Sequence, residues 1–436
     1  MARAYPLAVV ALLAWNLPAA AQDNAIDRAL ARQYFRQLEQ TSDRDAGRLW
    51  GRPLYGPILL VDPNTRAVVA NQADPERRLA AEDEVFVGRL PDSLNIANTD
   101  MRWAGTHWTM VRWPVPELRQ PRERLLLHEC FHRVQDDLGL PGRDAVNAHL
   151  DMLDGRIWLQ MEWRALERAL RASGSGRRAA IEDALVFRGY RRSLFPDAAK
   201  NETALELNEG LAEYTGVRLS SADSMEMRFR SDLILRQARS NPTFARSFAY
   251  VSGPAYGALL DLSGRPWRTR LNASADLGAL LAEAYGLKVQ ASEERARAAA
   301  PRYEGDEIIA LETRQEQERQ RHIADARRRF LDAPVLVLQL SPDVQYSFDP
   351  NNVLSVDARH AVYPGVRVTD AWGILTAPEG ALLERDEAGR VIRARVPAPA
   401  DESARPLKGQ GWSLDLKAGW EVAPGDRSGD LSVRAK

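Results

Sequence analysis

Cysteine is all but missing from this sequence. Cys130 is the only one in 436 residues, so no intrachain disulfide can form. Net charge is missing too: 59 Lys and Arg stand against 60 Asp and Glu, a formal charge of -1. That balance gives no electrostatic footprint for nucleic acid and no strongly membrane-seeking surface. Arginine far outnumbers lysine, a bias read as genome composition rather than function. After the N-terminal stretch no apolar run reaches the ~20 residues that cross a bilayer. There is no internal repeat and no long low-complexity tract. What remains is an ordinary globular composition, 45% hydrophobic and 27% charged. The length allows a sizeable core, spread over about two or three domains.

The N-terminus has the pattern of an export signal. Arg3 gives a short positive region, residues 6–17 are mostly apolar, and Ala19-Ala20-Ala21 fits the small-x-small rule for cleavage after Ala21. The apolar stretch is short for a membrane span, and no cysteine near the cleavage site could carry a lipid. The expectation is a periplasmic or secreted protein with no stable membrane insertion once residues 1–21 are removed.

Residues 26–49 carry helical apolar spacing at Ile26, Leu30, Tyr34 and Leu38. A β-rich stretch follows, with a hairpin at 58–62 and 66–70 around Pro63-Asn64-Thr65 and further strands at 84–87, 93–97, 101–104 and 106–115. From residue 122 to about 329 the pattern is mainly helical, with helices expected at 122–137, 143–172, 177–193, 201–218, 223–239, 243–262, 275–285 and 305–330. Ser173-Gly174-Ser175-Gly176 reads as a break. Acidic and basic residues alternate through 304–329, which suits a solvated bridging helix. From residue 333 the character changes to short strands at 335–340, 344–348, 361–369, 372–376, 381–384, 391–396, 412–416 and 431–433, with a loop at 397–406. The fold class expected is α+β. A helix and small sheet (22–120) join a mainly helical core (121–332), and an all-β sandwich or barrel follows (333–436).

The chemistry concentrates in His128-Glu129-Cys130-Phe131-His132. On a helix, positions i and i+4 share a face, so the two imidazoles can reach one ion. A glutamate beside the first histidine can reach a water held on that ion. Zinc brings the pKa of such a water toward ~7, and the carboxylate takes its proton as the water attacks a carbonyl. The surrounding residues 122–135 are free of Gly and Pro, with Leu125, Leu126, Phe131 and Val134 as a buried stripe and Pro121 where a helix can start. Cys130 occupies a position that need not face the ion, and reads as a buried, inert thiol.

The five residues have the H-E-x-x-H spacing of the zincin metallopeptidases. With Leu207-Asn208-Glu209-Gly210-Leu211-Ala212-Glu213-Tyr214, the chain resembles the gluzincins, whose third zinc ligand is a glutamate on a following helix. The resemblance covers roughly residues 106–261 and implies a zincin-like catalytic core. It makes His128, His132 and Glu209 the Zn²⁺ ligands, Glu129 the general base, and Glu213 the acceptor that orients a ligand histidine. Glu209 and Glu213 share a face at i, i+4, and two like charges there call for a nearby cation. Glu209 follows His132 by 77 residues, where familiar gluzincins use about two dozen or fewer. Asp151, 19 residues after His132, and His149 therefore stand as rival ligands. The stretch 248–261 is similar to the Y-x-x-G and apolar helix of aminopeptidase-like gluzincins. This implies Tyr250 as the donor to the oxyanion, with Tyr256 and Tyr214 as alternates. In zincins the strand beside the motif helix is a sheet edge to which substrate adds. Here that is the strand at 106–115, with Trp103, Trp108 and Trp113 as its large side chains or as core aromatics. No G-x-M-E-N motif for capturing a free amino terminus is present, which leaves endopeptidase or narrow-specificity action open.

The functional expectation is an exported zinc peptidase acting on a peptide or protein substrate. A non-proteolytic, metal-stabilised scaffold or chaperone and a zinc amidohydrolase acting on cell-wall peptides are the alternatives. The C-terminal β domain could take a protein or glycan partner.

Overall fold

A computed structural model describes residues 26–436 except 141, 144 and 349–352. The expected export signal, residues 1–21, lies outside the described residues. The chain is α+β and divides into two compact units between Ile309 and Ala310.

The first unit begins with helix α1 (Arg28–Asp45), started by the Asp27 carboxylate accepting from the Leu30 amide at 3.0 Å. Ala31, Tyr34, Phe35 and Leu38 are its buried face. Six strands follow: β1 (Ile58–Val61), β2 (Ala67–Ala70), β3 (Ala80–Glu82), β4 (Val85–Arg89), β5 (Thr99–Trp103) and β6 (Thr106–Arg112). They form one sheet in the order β3-β4-β2-β1-β6-β5, antiparallel except for β1 beside β6. Alternation sorts the side chains between two cores. Ile58, Leu60, Val69 and Val111 point to the helices, while Leu59, Val61, Val68, Trp108 and Met110 fill a smaller core on the far face.

Two strand expectations are corrected here. Residues 93–97 are not a strand. Leu94 and Ile96 do pack on the far core, but the Arg66 guanidinium takes the carbonyls of Leu90, Pro91 and Leu94, so side-chain bonds replace a ladder. The strand at 106–115 is not an edge: β6 pairs on both sides, and the edge is β5. Trp103 and Trp108 belong to the far core and Trp113 to the main one, so all three pack.

The helices are α2 (Arg119–Gln135), α3 (Leu153–Arg171), α4 (Gly174–Ser193), α5 (Ala198–Leu205), α6 (Leu211–Leu219), α7 (Ser224–Gln237), α8 (Phe248–Leu262), α9 (Leu277–Ala284) and α10 (Glu293–Ala299). The helix expected over 143–172 starts only at Leu153, after a separate short 3₁₀ turn Ala148–Asp151. The chain doubles back there closely enough that a Cβ on Gly155 would lie 1.9 Å from the His149 carbonyl oxygen. The helix expected over 201–218 is α5 and α6 joined by a π-helical turn, Glu206–Gly210. Helix α2 packs against β5, β6 and α6, and α8 packs against α6 and the π-turn. A buried polar core lies among α3, α4 and α5. Arg188 and Arg191 are nearly inaccessible there, as are Glu162, Glu202 and Glu206.

Helix α11 (Gly305–Arg327) spans the division and leads into the second unit. Its strands are β7 (Val335–Gln339), β8 (Gln345–Ser347), β9 (Leu354–Ser355), β10 (His360–Tyr363), β11 (Val366–Asp370), β12 (Gly373–Ala377), β13 (Ala381–Arg385), β14 (Val391–Pro397), β15 (Leu407–Gly409), β16 (Trp412–Leu416), β17 (Trp420–Pro424) and β18 (Leu431–Ala435). Seven form the sheet β17-β18-β7-β14-β13-β10-β9 and five the sheet β15-β16-β12-β11-β8. Leu338, Leu383 and Val396 from one meet Val368, Leu375 and Leu414 from the other, which makes the unit a sandwich. Among the described residues no helix is long and apolar enough to cross a membrane.

Candidate metal centre

Helix α2 carries His128 and His132 one turn apart, with ring centroids 4.9 Å apart and Nε2 atoms 3.2 Å apart. The opposite ring nitrogens fix the tautomers. His128 Nδ1 donates to Glu213 Oε2 at 2.8 Å, and His132 Nδ1 donates to Gln135 Oε1 at 2.9 Å. Both Nε2 lone pairs are thereby aimed at one point. Glu209 Oε2 faces the same point, 3.3 Å from His128 Nε2 and 3.4 Å from His132 Nε2.

Two lone pairs and a carboxylate oxygen this close repel unless a cation lies between them. Tetrahedral zinc, with bonds of roughly 2.0–2.2 Å to nitrogen and oxygen, spaces its donors by about 3.3–3.5 Å. The residues therefore fit a zinc ion. Where no ion is bound, protons take its part. Burial works against charge on His128, but hydrogen bonds to Glu209 and Glu213 overcome it and push the imidazole up to about 10. His132 is raised in the same way by Glu209 against its own burial. Glu209 feels the reverse: burial opposes its charge, yet the two histidines hold its carboxyl well below the usual range.

The π-turn and α6 supply the acidic residues, and α8 supplies the tyrosine. Glu213, one turn beyond Glu209, also receives an ion pair from Arg124. Against burial, Arg124 and His128 keep it ionised below the usual carboxylate range. Asn208 Nδ2 donates to Glu209 Oε1 at 3.3 Å. Glu129 is 4% exposed, and its burial raises its carboxyl, with the two histidines pulling the other way. Tyr250 lies flat over His128, centroids 5.4 Å apart and planes 4° apart, and its hydroxyl feels the Glu209 carboxylate. Burial and the Glu209 charge keep that phenol protonated. Tyr250 is brought in by a close helix crossing, since a Cβ on Gly253 would lie 2.2 Å from the Gly210 carbonyl oxygen.

The rivals lie elsewhere. Asp151 accepts from the Phe244 amide at 2.6 Å and from Thr243 Oγ1 at 2.5 Å. His149 Nε2 pairs with Glu202 Oε1 at 2.8 Å. Tyr256 donates to Glu162 at 2.7 Å and Tyr214 to Asp261 at 2.9 Å. The Cys130 thiol is fully buried in the main core and is not among the residues placed to hold an ion. Among the described residues, His128, His132 and Glu209 are the one group of His, Cys, Asp or Glu placed to hold an ion. Sequence reasoning missed Gln135 and Arg124. Each had a positional signal, Gln135 at i+3 from His132 and Arg124 at i-4 from His128. Compared with known proteins, the chain matches no family model, no curated protein and no solved structure.

Proposed function

We propose that this protein is an exported zinc-dependent peptidase of the gluzincin type, with His128, His132 and Glu209 as ligands. One observation carries the reading: three donor atoms lie 3.2–3.4 Å from one another with a buried glutamate adjoining them in sequence. Bound zinc supplies a Lewis acid and lowers the pKa of its water. Glu129 accepts the proton from the attacking water and passes it to the leaving amine, a role that its burial-raised carboxyl suits. The Tyr250 hydroxyl, kept protonated, donates to the carbonyl oxygen as it gains charge. Glu213 and Gln135 hold the two imidazoles in the ligating tautomer. The open side of β5, the sheet edge packed on α2, offers backbone groups to an extended peptide. The C-terminal sandwich is proposed as a module for a protein or glycan partner.

Digestion of a peptide library by the full chain tests this. Glu129→Gln is expected to keep near-stoichiometric zinc and to lose about 10²–10⁴-fold in cleavage rate. Undiminished cleavage by that variant removes the base. Glu209→Ala is expected to lose most of its metal, and full zinc occupancy there would move the third ligand elsewhere.

A further inference from the structure

Glu202, Glu206, Glu209 and Glu213 fall at i, i+4, i+7 and i+11, which on an unbroken α-helix is a single stripe. Four carboxylates on one stripe would face one environment. Here they face two. Glu202 and Glu206 enter the arginine cluster of α4, and Glu209 and Glu213 turn to the imidazoles of α2. The division falls at the π-turn, where the Leu211 amide reaches back five residues to the Glu206 carbonyl. The wider turn rotates everything after it relative to everything before it. The near side of the turn is clamped. Arg188 grips Glu206 with both arms of its guanidinium, Nη1 to Oε1 at 2.6 Å and Nη2 to Oε2 at 2.5 Å, and Asp276 holds the same guanidinium at 3.0 Å. Both partners of that fork are at most 4% exposed along their side chains.

Resting on the metal-centre reading above, we propose that the Arg188–Glu206 fork is a positioning device for the zinc site: it holds the π-turn in register so that Glu209 faces the histidines before any ion arrives. Glu206 and Arg188 touch no ion and no substrate. They act through Glu209, by fixing which way the rod is rotated. A wide helical turn persists only where its surroundings over-determine it, and a planar bidentate clamp on its first residue does that. Released from the fork, the rod gains the option of an ordinary α-turn, which brings Glu209 round toward the arginine side.

Zinc affinity by competition with a chelator, and the visible spectrum of the Co²⁺-loaded full chain, test the idea. Glu206→Gln breaks the fork. The double variant Arg188→Met with Glu206→Leu removes both charges together, so that burial is kept without an orphaned ion. Each is expected to bind zinc at least tenfold more weakly than wild type and to shift the Co²⁺ bands. Glu167→Gln breaks a separate buried ion pair of α3, with Arg239 and clear of both fork residues, and is expected to leave affinity within about twofold. That contrast separates register from general loosening. If the double variant is folded and binds zinc as wild type does, the fork positions nothing. If Glu167→Gln weakens zinc as much as the fork variants do, the effect is one of stability and the proposal is overturned. Should Glu206→Gln not fold, the double variant decides alone, and a double variant that also fails to fold makes the fork a folding element and sinks the proposal. His128→Ala and Glu209→Ala run alongside: wild-type zinc binding in those two would overturn the metal-centre reading itself, independently of the fork.

Discussion

Zinc binding at this centre should release protons, and the geometry sets the size of the effect. In the ion-free site His128 holds its proton up to about 10, because its two ring nitrogens face Glu213 and Glu209. A zinc ligand must be the neutral imidazole. At pH 7 the site is ~3 pH units below that value, so roughly one molecule in a thousand has Nε2 free, a handicap of ~4 kcal/mol at 1.36 kcal/mol per unit. Apparent zinc affinity is expected to rise about tenfold per pH unit from pH 7 to 9 through His128 alone, more steeply where His132 also carries a proton, and to level off near 10. Chelator competition at fixed ionic strength gives the slope. Calorimetry in buffers of different ionisation enthalpy counts the protons, and at least one should appear at pH 7.5. Stability depends on pH differently in the two forms. His128 has a folded value above its ordinary 6.5, so its stabilisation of the ion-free protein is complete below ~6.5 and is lost as pH rises through about 10. The zinc-loaded protein has no such proton to lose and should hold its melting temperature across that window. An affinity that stays flat from pH 7 to 9, with no proton released, would refute the reasoning.

Three substitutions probe the supports of the site. Gln135→Ala removes the acceptor bonded to His132 Nδ1 and is expected to weaken zinc by 10–100-fold, read by chelator competition; a loss under threefold would show that the amide does not orient the ring. Arg191→Met takes one guanidinium from two fully buried carboxylates, Glu162 and Glu202, leaving them Arg188 and Arg192 respectively, and should cost ~1.5–3 kcal/mol in denaturant unfolding, with under 1 kcal/mol counting against the pairing. Gly253→Ala places a methyl 2.2 Å from the Gly210 carbonyl oxygen, so α8 must back away from the π-turn. We expect a stability loss of ~1–3 kcal/mol and, in the Co²⁺ form, a changed spectrum, since Tyr250 and Glu209 lie on the two elements forced apart. Wild-type behaviour in both measurements would contradict the close crossing.

The fold was legible where local pattern decides it. Two short apolar runs around the Pro63-Asn64-Thr65 turn marked the β1–β2 hairpin, and helical spacing marked α1, α2 and the long helices. The β-rich C-terminal region followed from short apolar runs between Pro, Gly and Asp turns. What was not legible was set by contacts remote in sequence. Residues 93–97 alternate as a strand does, yet Arg66, more than twenty residues away, takes the Leu94 carbonyl together with those of Leu90 and Pro91 just before it. Leu407–Gly409 and Trp420–Pro424 carry weak strand signals and become strands because β16 and β18 stand ready to pair with them. Which of β5 and β6 ends the sheet depends on β1 pairing with β6 across the intervening hairpin, and nothing in the THWTMVRWPV stretch encodes that.

The candidate site divides along the same line. The histidine pair and the adjoining glutamate are a spacing rule on one helix, so the sequence displays them directly. Glu209 comes from a helix 77 residues later, and only resemblance and the pairing of Glu209 with Glu213 pointed to it. Asp151 had the more familiar spacing, but its oxygens are taken by the Phe244 and Thr243 donors, a claim that no pattern around residue 151 announces. The π-turn is the deepest omission. Propensity treats 201–218 as one helix, and on one helix Glu202 and Glu206 would share a stripe with Glu209 and Glu213. Two sets of partners, arginines on α4 and imidazoles on α2, cannot both be met from one stripe. The turn that resolves this conflict is therefore a property of the assembled helices, and its trace in the sequence is the acidic spacing itself: four carboxylates in register where one cation site would have used two.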